Sequence, residues 1–170
     1  MKNELKVINL KFRTEILTYT PTLLTIFYII FINLYLKNNW NYTSISQYTS
    51  SFNALSSLII AITVYQVIHF EESIGHFNHI LGKPKRNLWV YATLTYIFSN
   101  YLFCLLISTI NFILMSQNLK LTLFYVISSS FMNIIIILLI FTISLFTKSI
   151  FSMVSGVVIT IFNICLLYTS

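Results

Sequence analysis

All three histidines of this 170-residue chain, His69, His76 and His79, fall in one short stretch with Glu71 and Glu72, half of its four acidic residues. Imidazole and carboxylate on one helical face can converge on zinc or another divalent ion. His69, Glu72, His76 and His79 follow spacings of 3, 4 and 3, which puts them on one side of a helix. Adjacent turns can supply two ligands, but the four spread along about 15 Å of helix axis. One ion could not gather them all, and no metal site is assigned. A serine nucleophile is the other chemistry to weigh, since a histidine can serve as its base. It needs a second group arriving from elsewhere in the chain, and no histidine lies outside residues 69 to 79. A G-x-S-x-G nucleophile elbow is also absent, so no catalytic residue is expected.

The same stretch reads differently when its apolar residues are followed. Phe70, Ile74, Phe77 and Leu81, at spacings of 4, 3 and 4, share the opposite face and predict an amphipathic helix within a connector over residues 70–87, either continuing the second span or bent from it. Gly82 is a natural stop and Pro84 prevents continuation. Lys83, Lys85 and Arg86 would then anchor the start of the next element at an anionic membrane surface. Such a helix can rest its apolar face on lipid with a wet polar face, or dock its apolar knobs into a partner's groove. Docking also explains why charge is concentrated here, because a docking element must stand out of the membrane.

The elements that must position this connector are apolar. Hydrophobic residues make up 57% of the chain, aromatic residues 16% and charged residues 8%, against roughly 25% charged in ordinary soluble domains. A body of this composition predicts an all-α, polytopic membrane bundle. The formal charge of +6 would suggest nucleic acid in a soluble protein, but here the cations sit between apolar runs, and no nucleic-acid partner is expected. Crossing about 30 Å of hydrocarbon takes roughly 20 apolar residues. Five segments approach that length: 16–36, 51–69, 88–115, 121–146 and 151–167, together one transmembrane domain over 1–170. The first is too long for a secretory h-region and lacks a small-residue cleavage site, so it is expected to be retained. Thr20 before Pro21 could start a helix, or Pro21 could kink one that begins earlier.

Residues 1–15 carry Leu5, Ile8 and Phe12 on one face and Lys2, Lys6 and Arg13 largely on the other, which suits a helix lying in the membrane interface. With the N-terminus in the cytoplasm, Lys2, Lys6, Lys11, Arg13, Lys83, Lys85, Arg86 and Lys148 are cytoplasmic and only Lys37 and Lys120 are outside, as the positive-inside rule requires. Trp40, Tyr42 and Tyr48, in a polar outer loop, read as interface anchors. Within the spans the polar residues are mild: Thr25, Asn33, Asn53, Gln66, Asn100, Asn111, Asn133 and Asn163, with many Ser and Thr. No Asp, Glu, Lys or Arg stands at mid-span, so the charged groups that pumps and proton relays use are missing. The amides are expected to join helices by hydrogen bonds. The serines at 128–130, and Ser152, Ser155 and Gly156, mark close-packing patches. Cys104 and Cys165 lack CxxC spacing and read as small apolar-run residues.

The run "EESIGHFNHILGKPKRNLWVYATL" (71–94), with its acidic start, Gly75, Phe77, Asn78, the Ile80–Leu81 pair and Lys85–Arg86, resembles the loop after the second span in permease subunits of lantibiotic immunity transporters, within the ABC-2 type permease group. "MKNELKV" at the start, Trp40 before the second span, and "LFTKSIFSMVSGVVITIF" (145–162) fit the same pattern. The resemblance implies the permease half of an ATP-driven exporter that clears an antimicrobial peptide from the membrane of a bacterial cell. It implies a second permease chain, identical or a sister, and a separate ATPase. In that family the connector between spans two and three couples to the ATPase. Carried onto this chain, Glu71, Glu72, Gly75, Phe77, Asn78 and Leu81 would form the coupling element, with Phe77 as the knob. Such permeases have six spans where this chain shows five, so a longer parent chain is expected. No phosphate-cradling G-x-x-x-x-G-K-[ST] is present, consistent with hydrolysis on another subunit and with no cofactor on this one. Glu71–Glu72 is also similar to the EExxxR motif of intramembrane abortive-infection proteases, but position 76 is His where that motif has Arg. A stand-alone membrane immunity or scaffold protein, moving nothing, would carry much the same sequence.

Overall fold

In a computed structural model, residues 16–36, 41–75 and 86–169 are described. They form a 3-10 turn, Ile16–Tyr19, and five helices: α1 (Thr20–Leu36), α2 (Tyr42–Gly75), α3 (Arg86–Ser116), α4 (Leu119–Phe146) and α5 (Ser149–Thr169). Among the described residues there is no strand. The helices run up and down, because the turns between α3, α4 and α5 are too short for any other course. At the first turn Gln117 takes the left-handed conformation, with φ of 50°, and its N–H closes on the Ile113 carbonyl. Asn118 then caps α4, its Oδ1 accepting from the N–H groups of Lys120 and Leu121 at 3.1 and 3.3 Å. At the second turn the Thr147 N–H bonds back to the Ile143 carbonyl, and α5 starts two residues later.

Three helices, α2, α3 and α4, are long and apolar enough to cross a bilayer, while α1 and Ser149–Cys165 of α5 are shorter apolar helices. Burial separates their roles. In α2, 72% of the most apolar stretch is buried, against 39% in α3 and 33% in α4, so α2 is the axis around which the others pack. The outside of the bundle carries Phe103, Phe124, Phe131 and Phe146, all largely exposed. A bilayer matches such a surface, since lipid tails are as apolar as these side chains.

Each described helix overruns its sequence-predicted segment except at the start of the chain and at Phe146. The largest difference is in α2, which begins at Tyr42 where Ser51 was expected. Residues 42–50 read as a polar loop because hydroxyls dominate them, but those hydroxyls turn inward on their own helix. Thr49 and Ser50 donate to the Ser46 carbonyl, and Ser51 donates to that of Gln47. Tyr48 is accordingly no interface anchor: it is fully buried. The Pro21 alternatives are resolved. Thr20 is the first α-helical residue and Pro21 stands in the first turn, where its missing N–H removes no intrahelical bond. The expected interfacial helix at 1–15, and Trp40, lie outside the described residues.

Candidate functional site

The distinctive chemistry sits where α2 ends against the start of α5. The last part of α2 carries His69, Glu71 and Glu72 and runs on to Gly75 without a break. Residues 70–75, the beginning of the expected connector, are therefore a continuation of the second long helix. Opposite them, the first N–H groups of α5 have no partner within their own helix. Glu72 supplies one from a neighbouring helix: Oε1 accepts from the Ser149 N–H at 2.9 Å and Oε2 from the Ser149 hydroxyl at 2.6 Å. A carboxylate also complements the positive end of the α5 dipole.

His69 completes the cluster. Its ring lies flat on Tyr65, with centroids 5.1 Å apart and planes 8° from parallel, and its Nδ1 is 3.4 Å from Ser149 Oγ. The single proton of that hydroxyl points to the carboxylate, so only a protonated Nδ1 can complete the longer contact, by donating. A serine nucleophile needs the reverse, an imidazole accepting the hydroxyl proton. The group is arranged as a clasp between helices. Ser149 is buried, and so is Glu71, at 6% exposure, while His69 reaches the surface. The packing of the bundle around α2 thus extends almost to the end of that helix.

Of the other residues expected in the coupling element and its anchor, Gly75 closes α2 and Arg86 opens α3. Phe77, Asn78, Leu81, Lys83 and Lys85 lie outside the described residues, as do His76 and His79. Among the described residues no group of three or more His, Cys, Asp and Glu could hold a metal ion. Cys104 is buried and Cys165 exposed. The sequence reading missed Ser149. Its signal was present: Lys148, the last cation of the chain, followed by serine directly before an apolar run, is a helix-start pattern.

Behind the clasp, α2 and α5 make a seam of small residues. Gly156 lies so close to Ala61 that a Cβ on it would fall inside the alanine methyl. The Ser57 and Thr160 hydroxyls meet across the seam at 2.6 Å, and Ser152 is fully buried beside the Ala61 carbonyl. The predicted small-residue patch of α5 is the face that lets it approach α2. At the far end of the bundle, near the Gln117 turn, amides and tyrosines join the helices. Asn33 donates to Asn111 at 3.0 Å, Asn111 to the Tyr48 hydroxyl at 3.3 Å, and that hydroxyl to the Ser108 carbonyl at 3.0 Å. The Ser108 and Tyr125 hydroxyls are 2.8 Å apart. Midway, Asn133 accepts from Ser56 at 2.6 Å and donates to Tyr101 at 3.0 Å. Asn33, Asn111 and Asn133 thus join helices, as expected of amides within apolar spans.

What the fold and the clasp define is a class: an all-helical bundle with three helices fit to span a membrane and one central helix tied through its end to its neighbour. No family model, curated protein or solved structure matches the chain.

Proposed function

We propose that this chain is the permease half of an ATP-driven exporter that removes an amphipathic antimicrobial peptide from the membrane of a bacterial cell. All five helices cross the bilayer, with the N-terminus cytoplasmic. Lengths support the two shorter crossings. Ile16–Leu36 reaches about 34 Å when its 3-10 turn is included, and Ser149–Thr169 about 32 Å, against about 30 Å of hydrocarbon. Lys148 stands at the end of the bundle from which the 76–85 connector leaves, and Lys120 at the other, which matches a cytoplasmic connector. Partners are a separate ATPase and a second permease chain.

The observation that carries this proposal is the Glu72–Ser149 clasp. An ATPase pressing on the connector that carries Phe77 would move the end of α2, and the clasp would pass that displacement to α5 as well as along α2. Closure of the ATPase would in this way tilt a pair of helices instead of bending one connector. The chain is tested by capture from native membranes, with a search of the bound material for a P-loop ATPase. The expected result is an ATPase that copurifies with the wild-type chain and is lost when Phe77 and Leu81 are both changed to Asp. Unchanged association in that variant overturns the docking role of the connector. Absence of any ATPase from the wild-type capture overturns the exporter in favour of a stand-alone immunity or scaffold protein.

A further inference from the structure

Near the Gln117 turn, between α2 and α4, lies a cavity of about 270 Å³. Its α2 side is lined by Ile45 and the polar Ser46, Thr49, Ser50 and Asn53, and its other sides include Phe112, Phe124 and Tyr125. The polar side has a particular chemistry. Thr49 and Ser50 spend their hydroxyl protons on the Ser46 carbonyl, so each offers the cavity only oxygen lone pairs. Among the lining residues, Asn53 Oδ1 and Ser129 Oγ have no hydrogen-bond partner, and Ser129 is completely buried. A buried acceptor without a donor, as Asn53 Oδ1 is, is costly, and an incoming N–H or O–H would relieve that cost, while the Ser129 hydroxyl can accept as well as donate. No charged side chain lines the space.

Size and walls narrow the ligand. The volume falls below the about 300–1,000 Å³ of sites that enclose a drug-sized molecule, yet an apolar cavity of about 150 Å³ suffices for benzene. One or two fused rings fit, and a whole amphiphile does not. Aromatic rings pack on one another at offset or edge geometries, which the three ring-bearing residues of the wall can offer.

We propose that this cavity is a receptor for a single uncharged aromatic side chain that carries a hydrogen-bond donor, the indole of a tryptophan in a membrane-inserted peptide. Tryptophan concentrates at the level of the membrane interface, where the crossing proposed above puts this end of the bundle. The peptide origin of the ring rests on the exporter proposed above, whereas the ring site itself is measured without any ATPase.

The experiment is fluorine NMR on the purified full chain in lipid nanodiscs, titrated with 5-fluoroindole and with 5-fluoro-1-methylindole, which lacks the N–H. Saturable binding of 5-fluoroindole is expected, about tenfold tighter than the methylated ring, the size of one hydrogen bond. Thr49→Trp should fill the cavity and abolish binding. Asn53→Leu should equalise the two rings while still binding both, and helix content by circular dichroism checks that each variant is folded. N-acetyl-tryptophanamide should displace the fluorinated ring. No saturable binding to the wild type, equal affinity for the two rings in the wild type, or undiminished binding in a folded Thr49→Trp overturns the site. Displacement by dioleoylglycerol and not by N-acetyl-tryptophanamide reassigns it to a lipid hydroxyl and overturns the indole. Loss of ATPase capture with intact indole binding, or the converse, separates failure of the exporter from failure of the cavity.

Discussion

The α2–α5 seam and the aromatic network near the Gln117 turn lie in one bundle but hold helices together by opposite means. Along the seam, Gly156, Ala61, Ser57 and Ser152 let two backbones come close, and the seam ends in a carboxylate clasp. At the other end, Tyr28, Tyr48, Phe52, Phe112 and Tyr125 keep helices apart, with ring centroids 5.0–6.1 Å from one another in successive pairs, and hydrogen bonds bridge the gaps. Between helices in lipid there is little hydrophobic drive, so close packing and polar bridges are the two means available. The difference is instructive for movement. A seam without slack transmits a push, while a bridged, ring-filled region can open by exchanging one bond for another, and it is there that the cavity lies.

The seam should fail hardest. Gly156→Leu places a branched side chain where even a methyl group does not fit, and overpacking of this kind costs typically about 1–3 kcal/mol, at times more. A loss at or above about 3 kcal/mol is expected, read as a lowered midpoint in detergent unfolding followed by circular dichroism. Stability close to wild type would show that α5 can move off α2 freely, and the contrast between the two regions would be lost. Next comes Asn133→Leu, which strips the Ser56 and Tyr101 hydroxyls of a shared partner in a fully buried position. Ser56 keeps the Asn53 carbonyl and Tyr101 keeps the Ser129 carbonyl, so the loss is that of three bonds, the third being from Asn133 to the Ser129 carbonyl, and at about 0.6 kcal/mol each about 2 kcal/mol is expected from the same measurement.

The existence and order of the helices could be read from apolar runs, because in a membrane the backbone must satisfy itself and the apolar length of a run reports the crossing. The small-residue face of α5 was legible for a related reason: glycine and serine in an otherwise bulky run mark where a neighbour comes close. Where α2 begins was not legible. Tyr42 to Ser50 is polar by composition, and hydropathy cannot tell a solvated serine from one that bonds to the preceding turn. Tyr48 was misplaced with it. Nor could Glu72 be paired with Ser149, since spacing on one helix says nothing about what another helix brings opposite. The Asn33–Asn111 bridge was foreseen in kind but not in partner, for the same reason.

The clasp is the third test. Glu72→Ala removes the acceptor for the first N–H of α5, and losing a helix cap costs about 1 kcal/mol. The same loss is expected here in detergent unfolding. If the proposed coupling holds, this variant should still capture the ATPase while protecting cells from the peptide less well. Wild-type protection in Glu72→Ala would mean that displacement of α2 reaches the bundle by another route, and the seam would be a scaffold without a transmitting role.

The smallest effect is expected in the aromatic region, from Tyr48→Phe. The ring stays, together with its tilted contact on Phe112 at 5.4 Å, and only the hydroxyl that donates to the Ser108 carbonyl and accepts from Asn111 is lost. Hydrogen bonds between membrane helices average about 0.6 kcal/mol, with a ceiling near about 1.7. Asn33 remains to hold Asn111, and Ser108 Oγ keeps Tyr125 as a neighbour. A loss of about 0.5–1 kcal/mol is therefore expected, no larger than that of the clasp variant and well below that of Gly156→Leu. A double-mutant cycle with Asn111→Ala sharpens the comparison: coupling near zero would show a network whose bonds exchange independently, as an opening region requires. A coupling as large as the Gly156 penalty would instead make this end of the bundle as rigid as the seam, and the cavity a fixed fissure that admits no ring.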